Sequence, residues 1–194
     1  YKKMKDNHFW LTTADDYPVA VLLAARGENI ENLFSDIEQI YDELNKQGFR
    51  KSNGLQFLSN ILSFGNEHVK ERVEKCRYVF DFLKHNKLGV SSMYYGTIGF
   101  LALLGEDCEI ALEQILETVK YMKERKDFKW YYKDLNVMIA SALVSSEYVN
   151  EKKRQEITAT GIGISAQVLI AAQTAALIAA TSAATASAAT SSVT

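Results

Sequence analysis

The sequence of 194 residues contains little proline, little cysteine and no surplus of basic charge. One proline and ten glycines exclude collagen-like and proline-rich architectures. The net charge is −2, so the chain lacks the positive charge with which a dedicated nucleic-acid-binding protein neutralises phosphates. Apolar residues make up 47% and charged residues 24%, which is the balance of a soluble globular protein rather than a disordered chain.

The two cysteines, Cys76 and Cys108, each fall on an apolar helical position, which favours buried, reduced thiols over a disulfide. Two lone thiols are typical of a reducing compartment, and no charged-then-apolar leader is visible, so we expect a cytoplasmic protein. The first residue is Tyr1, and residues 1–5 are typical of the end of a helix, so we also expect the chain to be part of a longer protein.

Apolar residues recur with helical spacing, and almost no segment alternates as a strand would. Three apolar stripes have nearly the same internal spacing and follow one another with a period of about 40 residues, a length typical of helical repeats. The stripes are Ile30, Leu33, Ile37, Ile40 and Leu44, then Val69, Val73, Cys76, Phe80 and Leu83, then Cys108, Leu112, Ile115, Val119 and Met122. Shorter apolar helices lie between them at the same offset.

Helix breaks recur with the same period, at Gly65, Gly105 and Ser145. The two glycines are expected to end a helix in the left-handed conformation before a polar N-cap. A second set of breaks, at Gly48, Gly89 and Asp127, is followed by expected caps at Asn53, Ser92 and Asp134.

A hairpin of this size has too little apolar surface to fold alone, so the period predicts stacked hairpins. We predict an all-α fold in which residues 1–156 form right-handed α/α helical-hairpin repeats in a solenoid-like arrangement. The hairpins are expected at about residues 16–48, 53–88, 92–127 and 132–156. The alternative is an irregular helical bundle with accidental periodicity.

The C-terminal segment 157–194 carries no charge and is rich in Ala, Ser and Thr. We predict a long helix with a frayed end, packed along the repeats or on a second copy. A membrane anchor over 157–180 is the less favoured alternative, because Gln167 and Gln173 interrupt the apolar run. Gly161-Ile162-Gly163 follows no strand, so it does not predict a dinucleotide site.

No catalytic set, cofactor or metal site is predicted, since the three histidines share no ligand spacing with the cysteines. Aromatic residues gather in the loops between hairpins, where they would contact a protein partner or seal the contacts between repeats. Gln56 and Asn60 are expected to face inward and hydrogen-bond to the next helix. The candidate binding residues are Trp10, Asp15, Asp16, Tyr17, Tyr94, Tyr95, Trp130, Tyr131 and Tyr132.

Two segments resemble a bacterial family catalogued as domain of unknown function 4003. They are His8-Phe9-Trp10-Leu11-Thr12-Thr13 leading into Asp15-Asp16-Tyr17-Pro18, and the segment of residues 53–62, Asn-Gly-Leu-Gln-Phe-Leu-Ser-Asn-Ile-Leu. The resemblance covers most of residues 1–150 and implies longer helical proteins, with an N-terminal part outside this chain. It also implies His in relatives at the position of Asn60, and it brings no activity with it.

These observations predict a non-enzymatic interaction or scaffold protein. It would contact a protein partner through the aromatic edge or associate with itself through the C-terminal helix. One alternative is an α/α-ring enzyme that uses Asp15 and Asp16, although adjacent carboxylates at a helix start more often cap it. Another is a helical domain tethered to a membrane by residues 157–180.

Overall fold

The computed structural model describes residues 23, 29–88, 91–92, 95–126, 128 and 133–155. Within them the chain is helical and contains no strand, which confirms the all-α prediction for this part. The helices are α1 (Ile30–Lys46), α2 (Asn53–Leu62), α3 (Val69–His85), α4 (Tyr95–Ala102), α5 (Cys108–Glu124) and α6 (Lys133–Gln155), with a 3-10 turn at Gly105–Asp107. By its contacts the chain divides into two compact units, residues 1–145 and 146–194.

The apolar stripes form the core of the first unit. Ile37, Cys76 and Ile115, the central members of the three stripes, are all buried. Three positions differ from the prediction, and one of them is Val69, which is only partly buried at the start of α3. Ile30, the first residue of α1, is 54% exposed, and Val79 takes the core position in α3 that the spacing gave to Phe80.

Among the described helices, α2 and α4 make the most extensive contact, and every residue of α4 is buried. Gly99 makes this approach possible. A Cβ at this position would lie 2.6 Å from Leu58 Cδ1 and 3.1 Å from Ile61 Cγ2, closer than carbon atoms pack. Around this pair, α1 packs on α2 and α3, and α3 and α5 both pack on α4.

The end of α1 is a Schellman motif. Gly48 has φ of +93°, the left-handed conformation, and its N–H donates to the Asn45 carbonyl at 3.0 Å. The N–H of Phe49 reaches back to the Leu44 carbonyl at 3.1 Å, and the Phe49 ring is buried. This glycine therefore ends the helix as such motifs require.

The end of α3 repeats the motif at the equivalent place in the next hairpin, with a different residue. Lys87 has φ of +60°, and the Leu88 N–H donates to the Leu83 carbonyl at 2.8 Å. Leu88 is buried, as Phe49 is. The left-handed position therefore belongs to Lys87, whereas the sequence pattern placed the break at Gly89, which lies outside the described residues.

Gly65 does not have the left-handed conformation that the sequence predicts, although Gly105 does, with φ of +65°. A Cβ on Gly65 would lie 2.8 Å from Arg72 Cδ and 3.1 Å from Leu103 Cδ2. The glycine is therefore required for close approach, because the stem of a buried arginine occupies the space of a side chain.

The N-caps also differ in detail from the predicted ones. Ser52, not Asn53, caps α2, since its Oγ accepts a hydrogen bond from the Leu55 N–H at 3.2 Å. Asn29 caps α1 by accepting from the Glu31 N–H at 2.8 Å. Both are residue types that cap well, and the cap shifted by one residue lies within the usual uncertainty of helix ends.

Helix α6 runs without interruption through Ser145, where the period predicts a break. Gly105, the equivalent residue one period earlier, has the backbone freedom to leave the helix, and serine does not share it. Serine is tolerated inside helices at modest cost, so nothing at this position ends the helix.

We predict that Gly99→Ala lowers the free energy of unfolding by about 1–3 kcal/mol, because the new methyl group overpacks the α2–α4 contact. Urea denaturation measures this loss. In a Leu58→Ala background the same change should cost clearly less, since the methyl then enters vacated space. An equal cost in both backgrounds would show that the contact with Leu58 does not limit the helix separation.

We predict that Lys87→Gly raises the free energy of unfolding by about 1 kcal/mol, because glycine has no Cβ to oppose the left-handed conformation. The matched control is Lys84→Gly on the exposed side of α3, which should lower it by up to about 1 kcal/mol. Opposite signs from the same substitution at these two nearby positions are the expected result in urea denaturation. Destabilisation by both changes would contradict the role given to Lys87.

Candidate functional site

Of the nine residues expected to bind a partner, Tyr95 alone lies in the described part of the chain. Its ring is buried, with its centroid 5.1 Å from that of Phe49 and 6.2 Å from that of Phe80. Its hydroxyl accepts a hydrogen bond from the Arg50 N–H at 3.3 Å. Tyr95 thus seals the contact between α4 and the segment after α1. The other eight, Trp10, Asp15, Asp16, Tyr17, Tyr94, Trp130, Tyr131 and Tyr132, lie outside the described residues.

The described residues offer no metal site or reactive thiol. None of their His, Cys, Asp and Glu side chains gather in a group of three or more that could hold a metal ion. Both cysteines are free and buried, as expected. Burial raises the pKa of the Cys76 thiol, and it raises that of Cys108 to about 11, so both stay protonated at neutral pH.

No helix in the described part of the chain has the length and apolar character needed to cross a membrane. The segment 157–194, on which the predicted C-terminal helix and the membrane-anchor alternative rest, lies outside the described residues.

A polar cleft of about 450 Å³ lies between α1 and the start of α3. Its centre is Arg72, which is 5% exposed. Nη2 donates to Asp36 Oδ2 at 2.7 Å, and Nη1 donates to the Leu62 carbonyl at 2.9 Å. That carbonyl ends α2, where the helix dipole favours a cation. The lining residues are Asp36, Gln39, Glu67, His68, Val69, Lys70 and Arg72.

A second ion pair holds Glu67, one of the residues that line this cleft. Lys75 Nζ lies 2.6 Å from Glu67 Oε1, and this hydrogen bond lowers the pKa of the Glu67 carboxyl. His68 is exposed at the N-cap of α3 and makes no capping hydrogen bond with its side chain. The carboxylates of the cleft are thus held by neighbouring cations, which suits a structural junction better than proton transfer to a substrate.

Helix α2 carries a buried polar side with an unusual member. Gln56 and Asn60 both face inward, as predicted. Asn60 is 0% exposed, and neither its Oδ1 nor its Nδ2 has a hydrogen-bond partner among the described residues, so Asn60 does not form the bond expected of it there. A buried amide that lacks hydrogen-bond partners costs about 1–3 kcal/mol, so Asn60 lowers the stability of the fold.

An exposed apolar surface extends across α3 and α5. Tyr78 on α3 is 47% exposed, and Ile110 and Tyr121 on α5 are 55% and 57% exposed. Tyr78 Oη donates to Glu109 Oε1 at 3.4 Å, which places it beside the start of α5. We call this surface the α3–α5 face and define it by Tyr78, Glu109, Ile110, Glu113, Glu117 and Tyr121.

Sequence reasoning missed the α3–α5 face because it followed the buried stripes. A signal was present, since Ile110 and Tyr121 are separated by about three helical turns and lie opposite the stripe of α5. The nearby carboxylates affect the pKa of Tyr78. Partial burial, with Glu109 and Glu113 close by, raises the pKa of its phenol.

These features define a helical protein with exposed apolar side chains beside exposed carboxylates, and with the Arg125 guanidinium stacked on the Tyr121 ring, 4.6 Å from its centroid. The chain belongs to a family described as "Protein of unknown function (DUF4003)", whose model matches residues 1–175. It is similar to "Uncharacterized protein YeaA" of Bacillus subtilis (strain 168), with 29% identity over 180 residues, 92% of this chain and 52% of the relative. The chain thus spans about half the length of this curated relative. No solved structure matches the chain.

We predict that Asn60→Leu raises the free energy of unfolding by about 1–3 kcal/mol, because leucine keeps the branched shape and removes the unsatisfied amide. Thermal or urea denaturation measures the gain. Ser59→Ala is the neighbouring control, since the Ser59 hydroxyl already donates to the Leu55 carbonyl at 2.9 Å, and it should change stability little or lower it slightly. If Asn60→Leu lowers the free energy of unfolding, the conclusion that the Asn60 amide lacks hydrogen-bond partners is wrong.

Proposed function

We propose that this chain is a protein-interaction module made of stacked helical hairpins, and that it contacts its partner through the α3–α5 face. Its two free, buried thiols suit a reducing compartment, which supports a cytoplasmic location. The partner is another protein chain, and no step of catalysis is assigned to the described residues.

Two observations support the stacked arrangement. The first helices of the second and third hairpins, α2 and α4, pack on each other. The second helices of the first and second hairpins, α1 and α3, do the same. The same Schellman motif with a buried apolar residue ends both α1 and α3, at Gly48 and at Lys87. Equivalent helices with equivalent ends, packed on one another, are what a helical repeat requires.

The observation that carries the proposal is the exposure of three large apolar side chains on one face. Single exposed apolar residues are ordinary on protein surfaces, but grouped ones mark binding surfaces. Tyrosine contributes strongly to protein interfaces because it buries a large rigid ring and keeps a hydroxyl for hydrogen bonding. Tyr78 and Ile110 supply one ring and an aliphatic contact near the start of α5, and Tyr121, on which Arg125 stacks, supplies a second ring about three turns further along.

The test places a photo-activated crosslinking amino acid at position 110 of the chain in living bacteria. We expect a discrete covalent adduct to a protein, identified by mass spectrometry, because Ile110 lies within the proposed contact, next to Glu109, to which Tyr78 hydrogen-bonds. Position 30 is a matched control: Ile30 is also an isoleucine near the start of a helix, and it is 54% exposed against 55% for Ile110.

The proposal requires that the adduct at position 110 is absent at position 30 and that Tyr121→Ser weakens it. An adduct to another protein identifies the partner, and one to a second copy assigns self-association through this face. The same products from both positions, or none from position 110, would overturn the proposal.

A further inference from the structure

The α3–α5 face combines its apolar side chains with a column of acidic ones. Glu109, Glu113 and Glu117 follow one another at four-residue spacing along α5, and all three are exposed. Side chains four residues apart are neighbours on a helix surface, so the column contains two pairs of like charges, which destabilise a helix. Ile110 and Tyr121 border this column on the same outward side.

Of the three carboxylates in the column, only Glu109 has a structural role within the described part of the chain. Glu109 lies in the first turn of α5, where a carboxylate stabilises the positive end of the helix dipole, and it accepts the hydrogen bond from Tyr78. Glu113 and Glu117 lie beyond the first turn, and neither takes part in an ion pair among the described residues, Lys120 on the same helix included.

We propose that the α3–α5 face binds a basic amphipathic helical segment of a partner protein. The apolar side of that segment would pack on Tyr78, Ile110 and Tyr121, and its lysine or arginine side chains would neutralise Glu113 and Glu117. This proposal rests on the proposed function and adds the chemistry of the partner, which is an amphipathic helix lying along a helical surface.

Charge complementarity selects this occupant over the others. A second copy docked symmetrically would present the same face, so its own Glu113 and Glu117 would meet like charges. Nucleic acids and anionic lipid surfaces would be repelled by the same carboxylates, which lie nearer the start of α5 than its exposed Lys120, Lys123 and Arg125. A basic segment instead relieves the repulsion within α5 and covers the exposed apolar groups in one contact.

The test uses a synthetic helical peptide with leucine at i, i+3, i+4 and i+7 positions and lysine on its flanks. A second peptide carries glutamine at every lysine position. Fluorescence anisotropy measures their binding to the whole chain at low and at physiological salt. We expect at least tenfold tighter binding of the lysine peptide, with the difference shrinking as salt screens the charges.

Glu113→Gln with Glu117→Gln should weaken binding of the lysine peptide about tenfold and leave the glutamine peptide unaffected. The control, Glu31→Gln with Asp42→Asn on α1, removes two exposed carboxylates elsewhere and should leave both affinities unchanged. Circular dichroism verifies that both double variants keep their helical content.

Equal binding of the two peptides, no effect of the Glu113 and Glu117 changes, or a dimer formed through this face in sedimentation would overturn the inference. If position 110 still crosslinks to a partner whose contact segment is not basic, the proposed function stands and the inference alone fails. If neither crosslinking nor peptide binding occurs, both fail.

Discussion

The close contact between α2 and α4 determines where the rest of the first unit can lie. Gly99 brings the two backbones together because no Cβ separates α4 from Leu58 and Ile61. α4 is buried along its whole length, and it serves as the common surface on which α3 and α5 pack. The α3–α5 face therefore depends on a glycine that is not part of it, since the spacing of its two helices is set by their shared neighbour.

Helix α3 ties this arrangement together with two arginines. Arg72 donates to the Leu62 carbonyl at the end of α2, and Arg77 donates to the Gln47 carbonyl at the end of α1. Both cations thus meet the negative ends of helix dipoles, where charge is stabilised. Arg72 also occupies the position equivalent to Leu33 of the first stripe and to the buried Ala111 of α5, so a polar junction replaces part of the apolar one.

The sequence predicts the helices well because their stripes are long and regular, and their regular recurrence reports a repeated packing environment. It predicts the ends less well. Lys87 adopts the left-handed conformation that sequence reasoning expects of a glycine, because the burial of Leu88 and two backbone hydrogen bonds outweigh the strain. Gly65 is required by Arg72, a contact between segments that no local pattern contains. The site was the least predictable part, since exposure depends on which neighbours a helix lacks.

The distribution of ion pairs separates charges that serve the fold from those that do not. Asp36 with Arg72, Glu67 with Lys75 and Asp81 with Arg77 each join a carboxylate to a cation, and the first two link separate segments of the chain. On α5 the carboxylates of Glu113 and Glu117 meet no cation within the described part of the chain, and they lie beside exposed Ile110 and Tyr121. Glu113 lies between Glu109 and Glu117 at four-residue spacing, so replacing it would relieve repulsion within the helix, and folding alone gives no reason to keep it. Binding of a partner gives a reason to keep these side chains, because the carboxylates then pair with cations and the apolar side chains become buried.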